Sequence, residues 1–124
     1  MRAIHTDKAP AAIGPYSQAI AINGILYTSG QIPIDPHSGI IESIGIEEQT
    51  EQVIQNLKAI LEVAGSDLKH VIKTTCFLQR ISDFAAFNAV YEKYFVSKPA
   101  RSCVAVKTLP KNVLCEIEAI AAAD

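Results

Sequence analysis

The sequence predicts an α+β fold in which two helices cover one face of a single β-sheet. Two stretches of the chain repeat apolar residues at helical spacing, so each is expected to form an amphipathic helix with one apolar stripe. Strand-like segments precede, separate and follow these helices, and helices of this kind bury their stripe against one side of a sheet. The 124 residues suit one domain, residues 1–124, that is long enough to bury its own core.

The N-terminal part of the chain is expected to form a short strand and then a β-hairpin. The short strand lies at residues 3–5, and the arms of the hairpin lie at residues 16–22 and 25–28. Asn23-Gly24 separates the two arms, and this pair is typical of a tight turn because both residues tolerate positive φ. A loop rich in Pro, Asp and Gly follows at residues 33–39.

Residues 47–64 are predicted to form the first helix. Two glutamates lie in its first turn, where negative charge interacts favourably with the helix dipole, and Gly65 is suited to end it. The second helix is expected to be capped by Ser82 or Asp83 and to end before Pro99. The remaining strands are predicted at residues 71–78, 101–106 and 114–121.

The second face of the predicted sheet is also apolar. The strand segments ILYT (25–28) and VLCEIEAIA (113–121) carry apolar residues at both alternating positions. Helices on one side of the sheet would leave half of these residues uncovered. A homo-oligomer that packs sheet against sheet is the simplest way to cover them.

Composition argues against several classes of function. The net charge is −2 and the eleven Lys and Arg are scattered, whereas nucleic-acid binders usually show a basic stripe. No apolar run is long enough to span a bilayer, and the N-terminal residues lack a hydrophobic signal core. Three cysteines without paired spacing fit a reducing compartment, so a cytoplasmic protein is expected.

Standard motifs for phosphate, metal or thiol chemistry do not account for this sequence. Neither GxGxxG nor GxxxxGK occurs, and the three histidines are isolated without metal-ligand spacing, so no metal site is expected. The cysteines, Cys76, Cys103 and Cys115, lie inside apolar strand segments, where a free thiol usually serves as a small core residue. A Cys-His nucleophile pair nevertheless remains open at this point.

Three polar features stand out within otherwise apolar strands or turns. Arg101 opens the strand-like segment PARSCVAV (99–106), and arginine is rarely buried without an anion. Glu116 and Glu118 have strand spacing and therefore share one face of the predicted sheet. The segment IGPYSQA (13–19) places Tyr16 at the start of a strand. Arg101 either forms an internal salt bridge with Glu116 or Glu118 across neighbouring strands, or it binds an anionic ligand.

Six segments occur in a characteristic order along the chain: IGPYSQA (13–19), TSGQIP (28–33), VIKTTCFL (71–78), FNAVYEKYF (87–95), PARSCVAV (99–106) and LPK…EIEAIA (109–121). Together they resemble the RidA/YjgF family, the reactive intermediate (enamine/imine) deaminases. The resemblance covers essentially the whole chain, and the combination of PARSxVxV with EIEAIA is a specific one.

The resemblance implies a chorismate-mutase-like fold, in which a single mixed sheet has two helices on one face. It also implies a homotrimer whose sheets form a central barrel, with ligand clefts between neighbouring subunits. The implied activity is hydrolysis of 2-iminobutanoate and 2-iminopropanoate, which pyridoxal-phosphate-dependent dehydratases release from threonine and serine, to 2-oxo acids and ammonia. No metal or organic cofactor is implied, because a protonated imine is already a good electrophile.

The same resemblance implies roles for particular residues. Arg101 matches the arginine that binds the substrate carboxylate, Glu116 the glutamate that positions water, and Tyr16 the tyrosine of the GPY motif. Cys103 is implied to offer its backbone carbonyl to the ligand. The full set of implied substrate-binding residues is Ser29, Gly30, Asn88 and Cys103.

Two departures from the family pattern are visible. The link FVSKPARS (95–102) is shorter than is usual in the family, and because it lies near the cleft rim it bears on substrate size. Cys115 stands where an aliphatic residue is more usual, which we interpret as a tolerated core change. Two other functions remain open: a non-catalytic trimeric module or sensor that binds small 2-oxo acids or protein partners, and a ribonuclease or translation inhibitor, which the acidic charge balance disfavours.

Overall fold

The computed structural model describes residues 1–123 and contains one six-stranded mixed sheet. In chain order the strands are β1 (Arg2–Ile4), β2 (Ala19–Ile22), β3 (Ile25–Thr28), β4 (Val71–Leu78), β5 (Ala100–Ala105) and β6 (Cys115–Ala122). Their order in the sheet is β1-β2-β3-β6-β4-β5, and neighbouring strands are antiparallel except β4 and β5, which are parallel. The predicted α+β class, a mixed sheet with two helices, is confirmed.

The hairpin forms at the predicted Asn-Gly turn, but its first arm is shorter than expected. Asn23 and Gly24 have φ of 51° and 76°, the left-handed values that this turn requires. Residues 16–18 do not join the strand because a turn precedes them, in which the Tyr16 amide donates to the Gly14 carbonyl at 2.9 Å. The buried Gln18 side chain bonds to the backbone of Thr6 at 2.7 and 3.0 Å, which ties the N-terminal segment to this turn.

The first helix, α1 (Ile46–Val63), ends as the sequence predicts. Gly65 has φ of 82°, and the Ser66 amide donates to the Leu61 carbonyl at 2.8 Å, so the glycine closes the helix in a left-handed conformation.

The second helix, α2 (Phe84–Tyr94), begins differently from the prediction. A 3₁₀ turn at residues 81–83 leads directly into it, and the Asp83 carboxylate contacts Nε of Arg80 at 3.4 Å instead of capping the helix. The predicted side-chain cap is therefore wrong: Asp83 occupies the N-cap position but its side chain makes no capping hydrogen bond, and Ser82 lies one residue before that position, within the 3₁₀ turn. Because α2 ends at Tyr94, four residues (95–98) connect it to Pro99.

The core lies between the helices and one face of the sheet. On β6 the buried residues alternate with less buried ones, so Cys115, Ile117, Ala119 and Ala121 point towards the helices. The apolar stripe of α1 packs on this face and is completely buried at Val53, Ile54, Leu57, Ile60 and Leu61. This arrangement fixes which side of the sheet each strand residue occupies.

The opposite face of the sheet, which we call the open face, remains uncovered in the single chain. It carries apolar side chains on several strands, and Tyr27 and Val104 are exposed by 47% and 46%. Ile120 lies opposite Tyr27 in the register, and Phe77 lies opposite Glu116. The predicted apolar character of both faces is thus confirmed. Within residues 1–123, neither helix has the length and apolarity needed to cross a membrane.

We predict that Leu57→Ala lowers the free energy of unfolding by about 2–5 kcal/mol, because it opens a cavity beneath a fully buried position of α1. Urea unfolding at a fixed protein concentration measures this change. Val63→Ala is the control, since Val63 is 50% exposed at the end of the same helix and should change the free energy far less. Equal effects of the two substitutions would contradict this description of the core.

Candidate functional site

Arg101 lies on the edge strand β5, where its side chain is directed to the helix side of the sheet. It pairs in register with Thr74 of β4, and Thr74 is completely buried beneath α2. Nη1 of Arg101 donates a hydrogen bond of 2.7 Å to Oδ1 of Asn88. The guanidinium carbon lies 4.8 Å from the ring centroid of Tyr91 and 5.6 Å from that of Phe84, so aromatic faces surround a partly buried cation.

The internal salt bridge that the sequence left open is absent from the described structure. Strand β5 pairs with β4 and not with β6, so Arg101 is not a cross-strand neighbour of Glu116 or Glu118. No Asp or Glu within residues 1–123 forms an ion pair with Arg101. A guanidinium has five N–H donors, and the structure assigns a protein acceptor to one of its nitrogens. The cation is therefore available to an external anion.

A cavity of about 370 Å³ opens beside Arg101. Tyr91, Phe95 and Pro99 form an apolar part of its wall, and Glu92 and Lys98 are exposed members of the lining. Asn88 and Arg101 complete the lining. This volume is comparable with pockets that bind small molecules.

Glu116 occupies the open face, on the other side of the sheet from Arg101. It lies opposite Phe77, and Glu118 lies opposite Thr75, so the two carboxylates share one face as predicted. Burial raises the pKa of the Glu116 carboxyl, and the negative charge of Glu118 raises it further. A carboxyl with a raised pKa exchanges a proton more readily near neutral pH than an ordinary glutamate does.

Gly30 gives Glu116 the space that it occupies. A Cβ atom at position 30 would lie 2.0 Å from Oε2 of Glu116, which is closer than any real contact. Glycine at this position therefore allows the carboxylate to lie directly against the backbone of the SGQ segment. The adjacent Ser29 uses its hydroxyl to donate to the Ser17 carbonyl at 2.6 Å, which fixes this segment against the turn before β2.

Tyr16 is half exposed and belongs to the same side of the molecule as Gly30. The two residues line a common recess of about 40 Å³, and the Tyr16 hydroxyl accepts a 3.4 Å hydrogen bond from the Ile13 amide. Cys103 lies instead with Arg101, opposite Cys76 on the helix side. Burial raises the pKa of the Cys103 thiol, although the nearby Arg101 opposes that rise.

The predicted site residues thus form two groups, and one chain does not bring them together. The arginine group comprises Arg101, Asn88 and Cys103, and the glutamate group comprises Glu116, Gly30, Ser29 and Tyr16. Strand β4 separates β5 from β6, and Glu116 lies three register positions along the strands from Arg101. Their Cα atoms are therefore about 14 Å apart, and their side chains lie on opposite faces of the sheet.

Other chemistry has little support among the described residues. Burial raises the pKa of both Cys76 and Cys115 to about 12, so neither thiol is a nucleophile at neutral pH. His5 and His70 form exposed pairs with Asp7 and Asp67 at 3.1 and 2.7 Å. No group of three or more His, Cys, Asp or Glu in residues 1–123 is arranged to hold a metal ion.

Sequence reasoning missed the aromatic surroundings of Arg101. Phe84, Asn88 and Tyr91 lie at positions i, i+4 and i+7 of α2, so they share one side of the helix and meet the arginine together. The spacing is visible in the sequence, but apolar residues at such positions equally fit a helix stripe that packs in the core. Nothing in the sequence indicated that β5 would place its arginine beneath this side of α2.

Comparison with known proteins finds relatives that match essentially the whole chain. The family model for endoribonuclease L-PSP matches residues 6–123. AldR of Lactococcus lactis, whose name describes it as a candidate regulator, is 59% identical over 98% of this chain and 97% of its own length.

Two solved structures extend this comparison. A Yersinia pestis protein of the conserved Rid family is 49% identical, with a TM-score of 0.95 and 98% of both chains covered. The crystal structure of E. coli TdcF with bound serine is 41% identical, with a TM-score of 0.95 and complete coverage of both chains.

We predict that Glu118→Gln lowers the pKa of Glu116 in the folded protein. Removing the neighbouring negative charge makes the ionised form of Glu116 less unfavourable, while burial continues to hold its pKa above the ordinary value. A carboxyl-carbon NMR titration measures the change, with Glu62→Gln as a control that removes an equal charge from an exposed site on α1. An unchanged or higher pKa for Glu116 in the Glu118 variant would contradict the assigned cause.

Proposed function

The chain belongs to the RidA/YjgF family, and from this membership and the site geometry we propose that it hydrolyses small 2-imino acids. The proposed substrates are 2-iminobutanoate and 2-iminopropanoate, and the products are the corresponding 2-oxo acids and ammonia. Dehydratases that use pyridoxal phosphate would supply these imines by eliminating water from threonine or serine. Three free cysteines are consistent with a cytoplasmic setting for this chemistry.

One observation carries the proposal: a partly buried arginine has no carboxylate partner among residues 1–123. Leaving such a cation without an anion is unfavourable unless a ligand provides one. The planar guanidinium suits two parallel hydrogen bonds to a carboxylate. A 2-imino acid has its carboxylate directly beside the electrophilic C2 atom, so binding at Arg101 fixes where that carbon lies.

Hydrolysis then requires a water molecule on one face of C2 and a place for its proton. In the proposed mechanism the Glu116 carboxylate orients this water and accepts a proton as the C2–O bond forms. With a protonated imine, this proton is then delivered to the nitrogen, which leaves as ammonia when the C2–N bond breaks. The Glu116 carboxylate takes up the proton of the C2 hydroxyl as the 2-oxo group forms. Tyr16 and the carbonyl of Cys103 are proposed to hold the imine nitrogen or a second water.

The proposed site is built from two subunits of a homotrimer. A single chain separates Arg101 from Glu116 by about 14 Å on opposite faces of the sheet. The open face also exposes apolar side chains that a neighbouring sheet could cover. Packing the open faces around a threefold axis, as a central barrel, would allow Glu116 of one subunit to approach Arg101 of the next.

A second candidate function is a module that binds small carboxylates without turnover. Serine bound to TdcF is an amino acid with a free carboxylate, and AldR is named as a candidate regulator. The cavity beside Arg101 would serve such a sensor equally well. A ribonuclease activity, which the description of the family model suggests, has less support because the net charge is −2.

We predict that Arg101→Ala lowers kcat/KM by about 10²–10⁴-fold, because it removes the cation that binds and positions the substrate carboxylate. Glu116→Gln should lower it by about 10²-fold if this residue acts in proton transfer. A threonine dehydratase supplies the imine, and formation of 2-oxobutanoate is followed in competition with semicarbazide, which traps the free imine.

Arg2→Ala is the control for this experiment, since it removes an exposed arginine from β1 and should leave the rate unchanged. Full activity of a folded Arg101→Ala protein would refute the assigned role. Tight binding of 2-oxobutanoate by a wild-type protein that does not accelerate hydrolysis would favour the sensor.

We predict that the wild-type protein is a trimer and that Val104→Lys dissociates it. Val104 is already 46% exposed in the single chain, so a lysine is tolerated there, but a charge buried between sheets is unfavourable. Light scattering coupled to gel filtration measures the mass, and Ile44→Lys, at a loop position that is 86% exposed, is the control. A monomeric wild type, or a Val104→Lys protein that remains trimeric, would contradict the arrangement.

A further inference from the structure

Resting on the proposed function, we propose that Tyr91 is a positioning residue that fixes the plane of the Arg101 guanidinium. The relevant contact is the approach of the guanidinium carbon to the Tyr91 ring, at 4.8 Å from its centroid. A cation at this distance is attracted to the face of an aromatic ring. Tyr91 is not in the set of residues that the family pattern supplied for binding or catalysis.

A guanidinium that stacks on an aromatic ring keeps the N–H donors at its edge free for a ligand. The N–H donors of a guanidinium lie in its plane, so a ring that contacts the face of that plane leaves them free. Asn88 accepts from Nη1, and the guanidinium carbon lies over the rings of Tyr91 and Phe84. These contacts restrict rotation of the guanidinium and still leave in-plane donors for a carboxylate.

Tyr91 is itself held from several directions. Its hydroxyl shares a 2.7 Å hydrogen bond with Oγ1 of Thr74, which is completely buried. Its ring stacks with Phe95 at a centroid distance of 4.3 Å and an interplanar angle of 25°, and it lies 5.8 Å from Phe87. Tyr91 is only 8% exposed, so the ring cannot turn away from the arginine without disturbing the core.

Thr74 connects this arrangement to the strand that carries the arginine. Thr74 of β4 is the register partner of Arg101 on β5, so one strand pair supplies both the guanidinium and the anchor of the ring that it contacts. The hydroxyl–hydroxyl hydrogen bond therefore sets the height of the Tyr91 ring relative to the sheet, and thereby relative to the guanidinium. This linkage distinguishes Tyr91 from an ordinary core aromatic residue.

The experiment compares Tyr91→Leu with Tyr91→Phe in the coupled imine assay. The leucine variant removes the ring face and should lower kcat/KM by about 3–30-fold, the range of a partly desolvated cation–π contact. The phenylalanine variant keeps the ring face but loses the hydroxyl that anchors it to Thr74, so its kcat/KM should lie between those of the wild type and the leucine variant. Tyr94→Leu is the matched control on the same helix, because the Tyr94 hydroxyl bonds to Glu51 and the Arg101 guanidinium lies over the rings of Tyr91 and Phe84 instead.

A double-mutant cycle with Arg101→Ala separates positioning from a general effect on the fold. If Tyr91 acts through the guanidinium, Tyr91→Leu has no further effect on kcat/KM once Arg101 is alanine. The same loss in both backgrounds, or no loss in the wild-type background, overturns the proposal. Tyr91→Met, which fills a similar space without a ring, replaces the leucine variant if that protein does not fold.

The outcome of the cycle also distinguishes this inference from the proposed function. A harmless Arg101→Ala substitution refutes the imine hydrolase mechanism, and the role of Tyr91 is refuted with it. A damaging Arg101→Ala substitution combined with a harmless Tyr91→Leu substitution refutes only the role of Tyr91.

Discussion

The arginine of β5 is the feature on which the rest of the site depends. Arg101 is partly buried, bonded to an amide oxygen and packed against aromatic rings, with no carboxylate partner in residues 1–123. These contacts hold a cation in place without neutralising it. A protein that needed the arginine only for stability would gain more from a carboxylate partner, since a charge without one is costly to desolvate. The absence of that partner is what a binding site for an anionic substrate requires.

The strand order of the sheet bears on how subunits of this protein assemble. Because β4 lies between β5 and β6, Arg101 and Glu116 are kept apart, on opposite faces of the same sheet. The glutamate has its own support, a glycine that leaves room for the carboxylate and burial that raises its pKa. We propose that the arginine group and the glutamate group each form within one subunit, and that contact between neighbouring subunits brings the two groups together.

Local patterns predicted most of the fold, whereas the site depended on contacts that no local pattern contains. The Asn23-Gly24 turn, the glycine end of α1 and the shared face of Glu116 and Glu118 all follow from short-range rules, and the structure confirms them. Local rules did not distinguish the two possible partners of Arg101, because strand order is set by tertiary packing. The early start assigned to β2 was wrong because a turn at residues 14–16 precedes the strand, and the Gln18 side chain ties the segment after that turn to distant backbone groups.

The most direct test of this account mixes two inactive variants. Arg101→Ala and Glu116→Ala are unfolded together in equal amounts, refolded into mixed assemblies and assayed for imine hydrolysis, with mass spectrometry of the intact assembly to verify mixing. If neighbouring subunits supply the two residues, about one cleft in four regains both, and activity rises to roughly a quarter of the wild-type value. Activity that stays at the level of the separate variants, in assemblies shown to be mixed, would contradict a site shared between subunits.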